Sequence, residues 1–215
     1  MQHAPEKPED GQVKQILYLT CSPRGRAGES SKLSRIIVDC LLEREPMTQV
    51  VERVIGGNAL QHVDGDYALS QALAEDVSQE GSMIRSEELI RELESADYLV
   101  IGTPVHNFTV PSTLKAWLDH VVRVRRTFDV SRDGKIPLLH DRPVFVGVSS
   151  GGRISGTRTR QPDFLTPYLR AVLGIIGLQD MRFFSIEGTA AGPDATALAQ
   201  RETGRAIREH FASLA

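Results

Sequence analysis

Two cysteines in 215 residues, Cys21 and Cys40, are too few for a disulfide framework, and their spacing fits no metal-ligand pair. Both read as small buried fillers, although Cys21, just ahead of a helix, is also a candidate for reactivity. The six histidines are scattered, so a metal finds no ligand cluster. No apolar run approaches the roughly 20 residues that span a bilayer. Met1 to Gln12 is polar and proline-containing, without the apolar centre of a signal peptide. It reads as a disordered tail ahead of one domain over 13–215, and the chain as cytoplasmic, with no membrane partner. Charge of one sign is lacking too: 25 basic against 28 acidic residues, net −3, give no field to attract nucleic acid.

Familiar nucleotide signatures are also missing. No Gly-x-Gly-x-x-Gly follows the first apolar run, and no Gly-x-x-x-x-Gly-Lys-Ser/Thr occurs anywhere, which disfavours both tightly held NAD in the usual dinucleotide fold and P-loop chemistry. Neither Thr20 to Ser22 nor Gly102 to Pro104 contains an aspartate, so a phospho-acceptor domain would have no nucleophile.

What is present is an alternation of apolar strands and amphipathic helices. Strands are expected at Gln15 to Thr20, Gln49 to Ile55, from Tyr98, at Pro143 to Ser149 and at Met181 to Ile186. The turn signal Gly56-Gly57-Asn58 closes the second. Helices are expected after the candidate caps Ser30 and Ser31, from about Tyr67, over Ser86 to Ser95, from Pro111, over Thr166 to Ile176 and over Ala195 to Leu214. Trp117 reads as core. Arg123 to Arg126 read as a solvated helix end complementing the helix dipole, and Ser131 to Asp141 as a polar, turn-rich connection. Five strands alternating with helices make an α/β, flavodoxin-like, doubly wound five-stranded parallel sheet of order 2-1-3-4-5, with helices on both faces.

In such a sheet ligands bind at the loops leaving the carboxyl ends of the strands. Ser22 to Ser31, ahead of a helix, offers hydroxyls, glycines and free N–H groups for a phosphate. The loop after the third strand exposes His106, Asn107 and Phe108. Ser149-Ser150-Gly151-Gly152 follows the fourth, where backbone can approach a flat ring closely. Together they suit a ligand with a phosphate at one end and a flat ring at the other; caps and plain turns are the competing readings.

Pro104-Val-His-Asn-Phe108, Ser112-Thr-Leu-Lys115, Thr127-Phe128, Ser149-Ser-Gly-Gly152, Phe164 to Leu169, Leu173 to Gly177 and Glu187-Gly188 through Gly192-Pro193 occur in this order. The chain, from about Val13 to its last helix, thereby resembles the FMN-dependent NADH azoreductases, within the wider flavodoxin-like NAD(P)H:quinone oxidoreductases. The resemblance implies bound FMN, with its phosphate on Ser22, Gly28, Glu29 and Ser30 and its ring against Pro104, Val105, His106, Asn107 and Phe108 and against Ser149, Ser150, Gly151 and Gly152. It also implies a homodimer whose active sites are completed across the interface. NADH or NADPH would donate a hydride to the flavin, and a quinone or azo compound would then take two electrons at the same pocket, in ping-pong fashion. His106, where the family usually has Tyr, together with Phe128 and Phe164, would line the acceptor pocket; no catalytic acid is assigned. Glu29 brings a carboxylate to the phosphate loop, tolerable if its N–H faces the phosphate and Arg24 or Arg26 offsets the charge. Arg153 to Arg160 departs from the family pattern. A flavodoxin-type electron carrier and a flavin-free interaction domain are the alternatives from other classes, though carriers are usually shorter and strongly acidic.

Overall fold

The computed structural model describes residues 13–57, 60–72, 81–156, 159 and 161–214. The tail expected over 1–12, Asn58 of the expected turn, and parts of the segments 59–81 and 153–160 lie outside the described residues. The first strand, β1 (Gln15–Thr20), is buried from Ile16 onward, as a strand covered on both faces requires. There follow α1 (Glu29–Arg44), β2 (Gln49–Val54), α2 (Gly65–Ala72), α3 (Gly81–Ser95), β3 (Tyr98–Pro104) and α4 (Ser112–Val121). After them come β4 (Phe128–Ser131), β5 (Gly134–Pro137), β6 (Val144–Ser149), α5 (Leu165–Ile175), β7 (Met181–Ile186) and α6 (Pro193–Ser213).

Five strands pair in parallel in the order β2-β1-β3-β6-β7. This is the expected 2-1-3-4-5 order once the separate β4–β5 pair is set aside. The alternation of side chains along each strand feeds two cores. Leu17, Leu19, Leu99, Ile101 and Val146 face α3, α4 and α5 with Leu89, Trp117 and Leu169. Ile16, Tyr18, Val100 and Phe145 face α1 and α6 with Leu33, Ile37, Ile207 and Phe211. Trp117 is fully buried, as expected of a core residue.

Two expectations are overturned. The stretch read as a turn-rich connection contains β5, which pairs antiparallel with β4 from Phe128↔Pro137 to Ser131↔Gly134. This two-stranded arm stands on the surface, with Val130 61%, Ile136 47% and the adjoining Leu138 45% exposed. The basic cluster is not a wholly solvated helix end. Arg123 is only 5% exposed; its Nη2 donates to Glu87 Oε2 at 2.9 Å and its Nη1 to Ser86 Oγ at 3.1 Å. Arg126 bridges Glu87 at 3.0 Å and Glu94 at 2.5 Å. The cluster ties the end of α4 to α3 instead of facing water. Burial raises the Glu87 carboxyl, but the bonds and charge of Arg126, with Arg123 and Arg91, outweigh it and hold the group below the usual carboxylate range.

The helix that matters most for position is α1. An ideal β-carbon on Gly102 of β3 would overlap Ser34 Oγ and come within 3.0 Å of the Ser30 carbonyl oxygen. One on Gly147 of β6 would lie 3.1 Å from Ser34 N. Bare backbone at these two sites lets the first turns of α1 lie directly on the middle of the sheet.

Candidate functional site

Loops from β1, β3 and β6 emerge side by side at the carboxyl edge, because β1 pairs Thr20 with Gly102 and β3 pairs Pro104 with Ser149. Neighbouring strands lie about 4.8 Å apart, so the first and last of these loops are roughly 10 Å from one another.

In the first loop, Gly25 N donates to Ser22 O at 3.0 Å and Gly28 N to Gly25 O at 3.1 Å. A short 3₁₀ turn over Gly25–Ala27 results. Ser30 and Ser31 were expected as caps; instead Gly28 occupies the cap position, with no side-chain cap bond, and α1 starts at Glu29. The serines therefore sit in the first turn, where the N–H groups of Glu29, Ser30 and Ser31 have no intrahelical acceptor. Both hydroxyls are buried, and neither has a hydrogen-bond partner. Such groups cost about 1–3 kcal/mol each when left unpaired, and a bound anion would satisfy them. Below them, Tyr18 Oη donates to Ser31 O at 3.0 Å and Ser34 Oγ to Ser30 O at 2.8 Å, fixing the turn from the sheet side. The Glu29 carboxylate accepts from Lys32 Nζ at 2.8 Å and from Gln200 Nε2 of α6. Burial opposes its charge, but these two bonds hold its carboxyl below the usual range. Lys32 is the cation paired with Glu29 and the charge of Arg24 adds to it, whereas Arg26 pairs with Glu52 at 2.9 Å.

In the second loop, His106 and Thr109 exchange backbone bonds of 2.9 and 3.0 Å around Asn107 at φ 48° and Phe108 at φ 69°. Two successive left-handed residues make a tight primed turn, and for Phe that conformation is strained. Val105 N donates to Ser149 O at 2.8 Å and fastens this loop to the third. His106, Asn107 and Phe108 are all exposed, Phe108 by 43%.

The third loop lies along the segment after β7. Ser150 O, Gly151 O and Gly152 O accept from Thr189 N, Ala190 N and Gly188 N at 3.1, 3.1 and 3.2 Å. Each carbonyl is anti to the N–H of the next residue in a planar trans peptide. The N–H groups of Gly151, Gly152 and Arg153 therefore point away from residues 188–190.

Of the other expected residues, Phe128 is half-buried in the β4–β5 arm, with Lys135 Nζ 5.1 Å from its ring centre. Phe164, 56% exposed, stands at the cap of α5. The structure joins neither to the three loops by a hydrogen bond. Cys21 is fully buried and its thiol is pushed up by that burial, which argues against reactivity; Cys40 is buried too. Among the described residues no group of three or more His, Cys, Asp or Glu side chains is placed to hold a metal, and no helix is long and apolar enough to cross a membrane.

Residues 14–211 match a family profile described as flavodoxin-like fold. The FMN-dependent NADH:quinone oxidoreductase 4 of Pseudomonas fluorescens is 45% identical over 184 residues, 85% of this chain and 88% of that protein. The chain belongs to the family of FMN-dependent NADH:quinone oxidoreductases. Oxidoreductase 5 of this family from Burkholderia lata is 40% identical over 186 residues, covering 86% of this chain and 90% of its own. An FMN-dependent NADH-azoreductase from Bacillus anthracis, solved in complex with FMN, has the same fold. Its TM-score is 0.75 at 21% identity, over 93% of this chain and 100% of that one. In this member of the oxidoreductase family, Ser31 lies within the Ser22 to Ser31 stretch read as a phosphate loop, whereas Tyr18, which donates to Ser31 O, and Glu187, which accepts from Ile154 N and Ser155 N, were not singled out in the sequence. Ser31 and Tyr18 looked like a cap and a strand residue, and Glu187 gave no signal beyond its Glu-Gly pair.

Proposed function

We propose that the three loops bind FMN and that the protein is an FMN-dependent NADH oxidoreductase acting on quinones or azo compounds. The observation that carries this reading is the pair of buried, unpartnered hydroxyls on Ser30 and Ser31 beside the free N–H groups of the same turn. That donor set fits a phosphate. The N–H groups of Gly151 and Gly152, two strands away, fit the polar edge of a flat ring. When bound, FMN supplies a ring that accepts a hydride from NADH and passes two electrons to the acceptor.

The chain's own residues bind and polarise. Ser22, Glu29 and Ser30 take the phosphate, with Gly28, its N–H already on Gly25 O, leaving room beside Ser22, and with Glu29 using its N–H while Lys32 and Gln200 hold its carboxylate. Pro104, Val105, Asn107 and Phe108 form one wall, and Ser149 to Gly152 the other. Backbone N–H groups on the second wall stabilise negative charge on the reduced ring. His106, exposed at the base of its turn, faces the acceptor. Phe128 and Phe164 contribute to the acceptor pocket through a second copy of the chain. The exposed apolar side chains of Val130, Ile136 and Leu138 support such a homodimer, with the active site at its interface. The free, buried cysteines support a cytoplasmic setting.

Purified protein with a flavin spectrum that bleaches under NADH without oxygen, then turns over quinones or azo dyes, is the expected result. NADPH in place of NADH tests the donor. A colourless protein that FMN cannot reconstitute overturns the reading, and flavin that bleaches without turnover marks an electron carrier. Light scattering on a sizing column tests the dimer.

A further inference from the structure

We propose that Glu187 is a positioning residue: its carboxylate clamps the loop after β6 so that the N–H groups of Gly151 and Gly152 face the flavin. The inference rests on the flavin reading above and adds a residue that touches neither cofactor nor substrate.

Glu187 Oε2 accepts from Ile154 N at 3.0 Å and from Ser155 N at 3.2 Å. The same strap, Gly188 to Ala190, takes the carbonyls of Ser150, Gly151 and Gly152. Thr189 Oγ1 adds a bond to Ser150 O at 3.2 Å. The loop is thus held at its start by carbonyls and at its end by N–H groups; the first set is mainly backbone, whereas the second rests wholly on one side chain. The glycines carry the first anchor through their carbonyls and have no side chains of their own to fix them further, with only Arg153 before the second. Ile154, 8% exposed in the core, cannot turn outward to find another acceptor without losing that packing. The carboxylate therefore holds the chain just beyond Gly152, keeping the peptide planes of 151–153 seated on their main-chain bonds to 188–190.

Both bonds end on one oxygen of Glu187. A glutamine presents one oxygen in the same place, whereas an alanine presents none and an aspartate falls one methylene short.

Apoprotein of each variant is titrated with FMN and with riboflavin, which has the ring without the phosphate, and the flavin midpoint potential is measured. Glu187→Ala is expected to weaken FMN and riboflavin by a similar factor, about 10-fold, and to lower the potential because donors to the reduced ring are misaligned. Glu187→Gln is expected to restore both to near the unaltered values. Should Glu187→Ala fail to fold, Glu187→Asp is measured in its place and is expected to fall between the Gln variant and a 10-fold loss. Unaltered flavin affinity and potential in the Ala or Asp variant overturn the proposal. So does a Gln variant as weak as Ala, and so does a loss confined to FMN, which would place the effect at the phosphate. Unaltered apoprotein that binds neither flavin overturns the functional reading itself, a distinct outcome.

Discussion

Ser34 Oγ fills the space that a β-carbon on Gly102 would need. The contact lets α1 rest on β3, and with it the first turn that carries Ser30 and Ser31. Gly102→Ala is expected to destabilise the protein by about 1–3 kcal/mol through overpacking. FMN affinity should fall as well, since the turn moves with the helix. Thermal unfolding with and without FMN checks both; an unchanged FMN affinity would separate the helix from the site.

Ser30→Ala should act in opposite directions on the two states. It removes an unpartnered buried hydroxyl, so the apoprotein is expected to melt at the same temperature or higher. The bound state loses a bond to a charged group, about 1.5–3 kcal/mol, which is roughly 10- to 100-fold in FMN affinity. Riboflavin affinity should not change. Differential scanning calorimetry and fluorescence titration read the two effects.

Arg123→Met leaves Glu87 with Arg126 and Arg91 and no buried partner. A loss of about 3 kcal/mol is expected in urea unfolding. The double variant Glu87→Leu/Arg123→Met should recover part of it, because a carboxylate whose charge burial opposes is gone.

His120 gives a pH signature. It is 1% exposed, its Nε2 lies 3.0 Å from Gln61 O, and burial pushes its imidazole below the ordinary value. The unfolded chain, titrating near 6.5, then binds more protons than the folded one as pH falls. Stability is complete above that value and declines as the pH drops through the folded one. His210, also lowered by burial, acts in the same direction. His120→Leu should reduce the difference in melting temperature between about pH 7.5 and about pH 5.5, a window bracketing the free imidazole. An equal difference in both proteins would exclude His120 as a source.

Parallel strands buried on both faces read as continuous apolar runs, which is why Gln15 to Thr20 and Tyr98 to Pro104 were legible with their order. The β4–β5 arm was not, because its strands are four residues each, and an alternation as short as Phe128-Asp-Val-Ser131 is a weak strand signal. The two residues that join the strands are Arg132 and Asp133, since Ser131 pairs with Gly134, and that pair is not one of the glycine-containing hairpin signals. Arg123 looked like a surface residue because its partners, Ser86 and Glu87, lie far away in sequence. The three ligand loops were visible as glycine, serine and asparagine at strand ends. What sequence could not reveal was that Ser30 and Ser31 lie inside the helix, or that residues 187–190 support the glycine loop.

That support comes late in the chain. The phosphate turn is made from residues 22–31, and the ring loops from 104–109 and 149–152, yet the last has its carbonyls and N–H groups held only by 187–190. A chain shortened to end before Glu187 would therefore carry all three loops and lack the strap on which the third one lies.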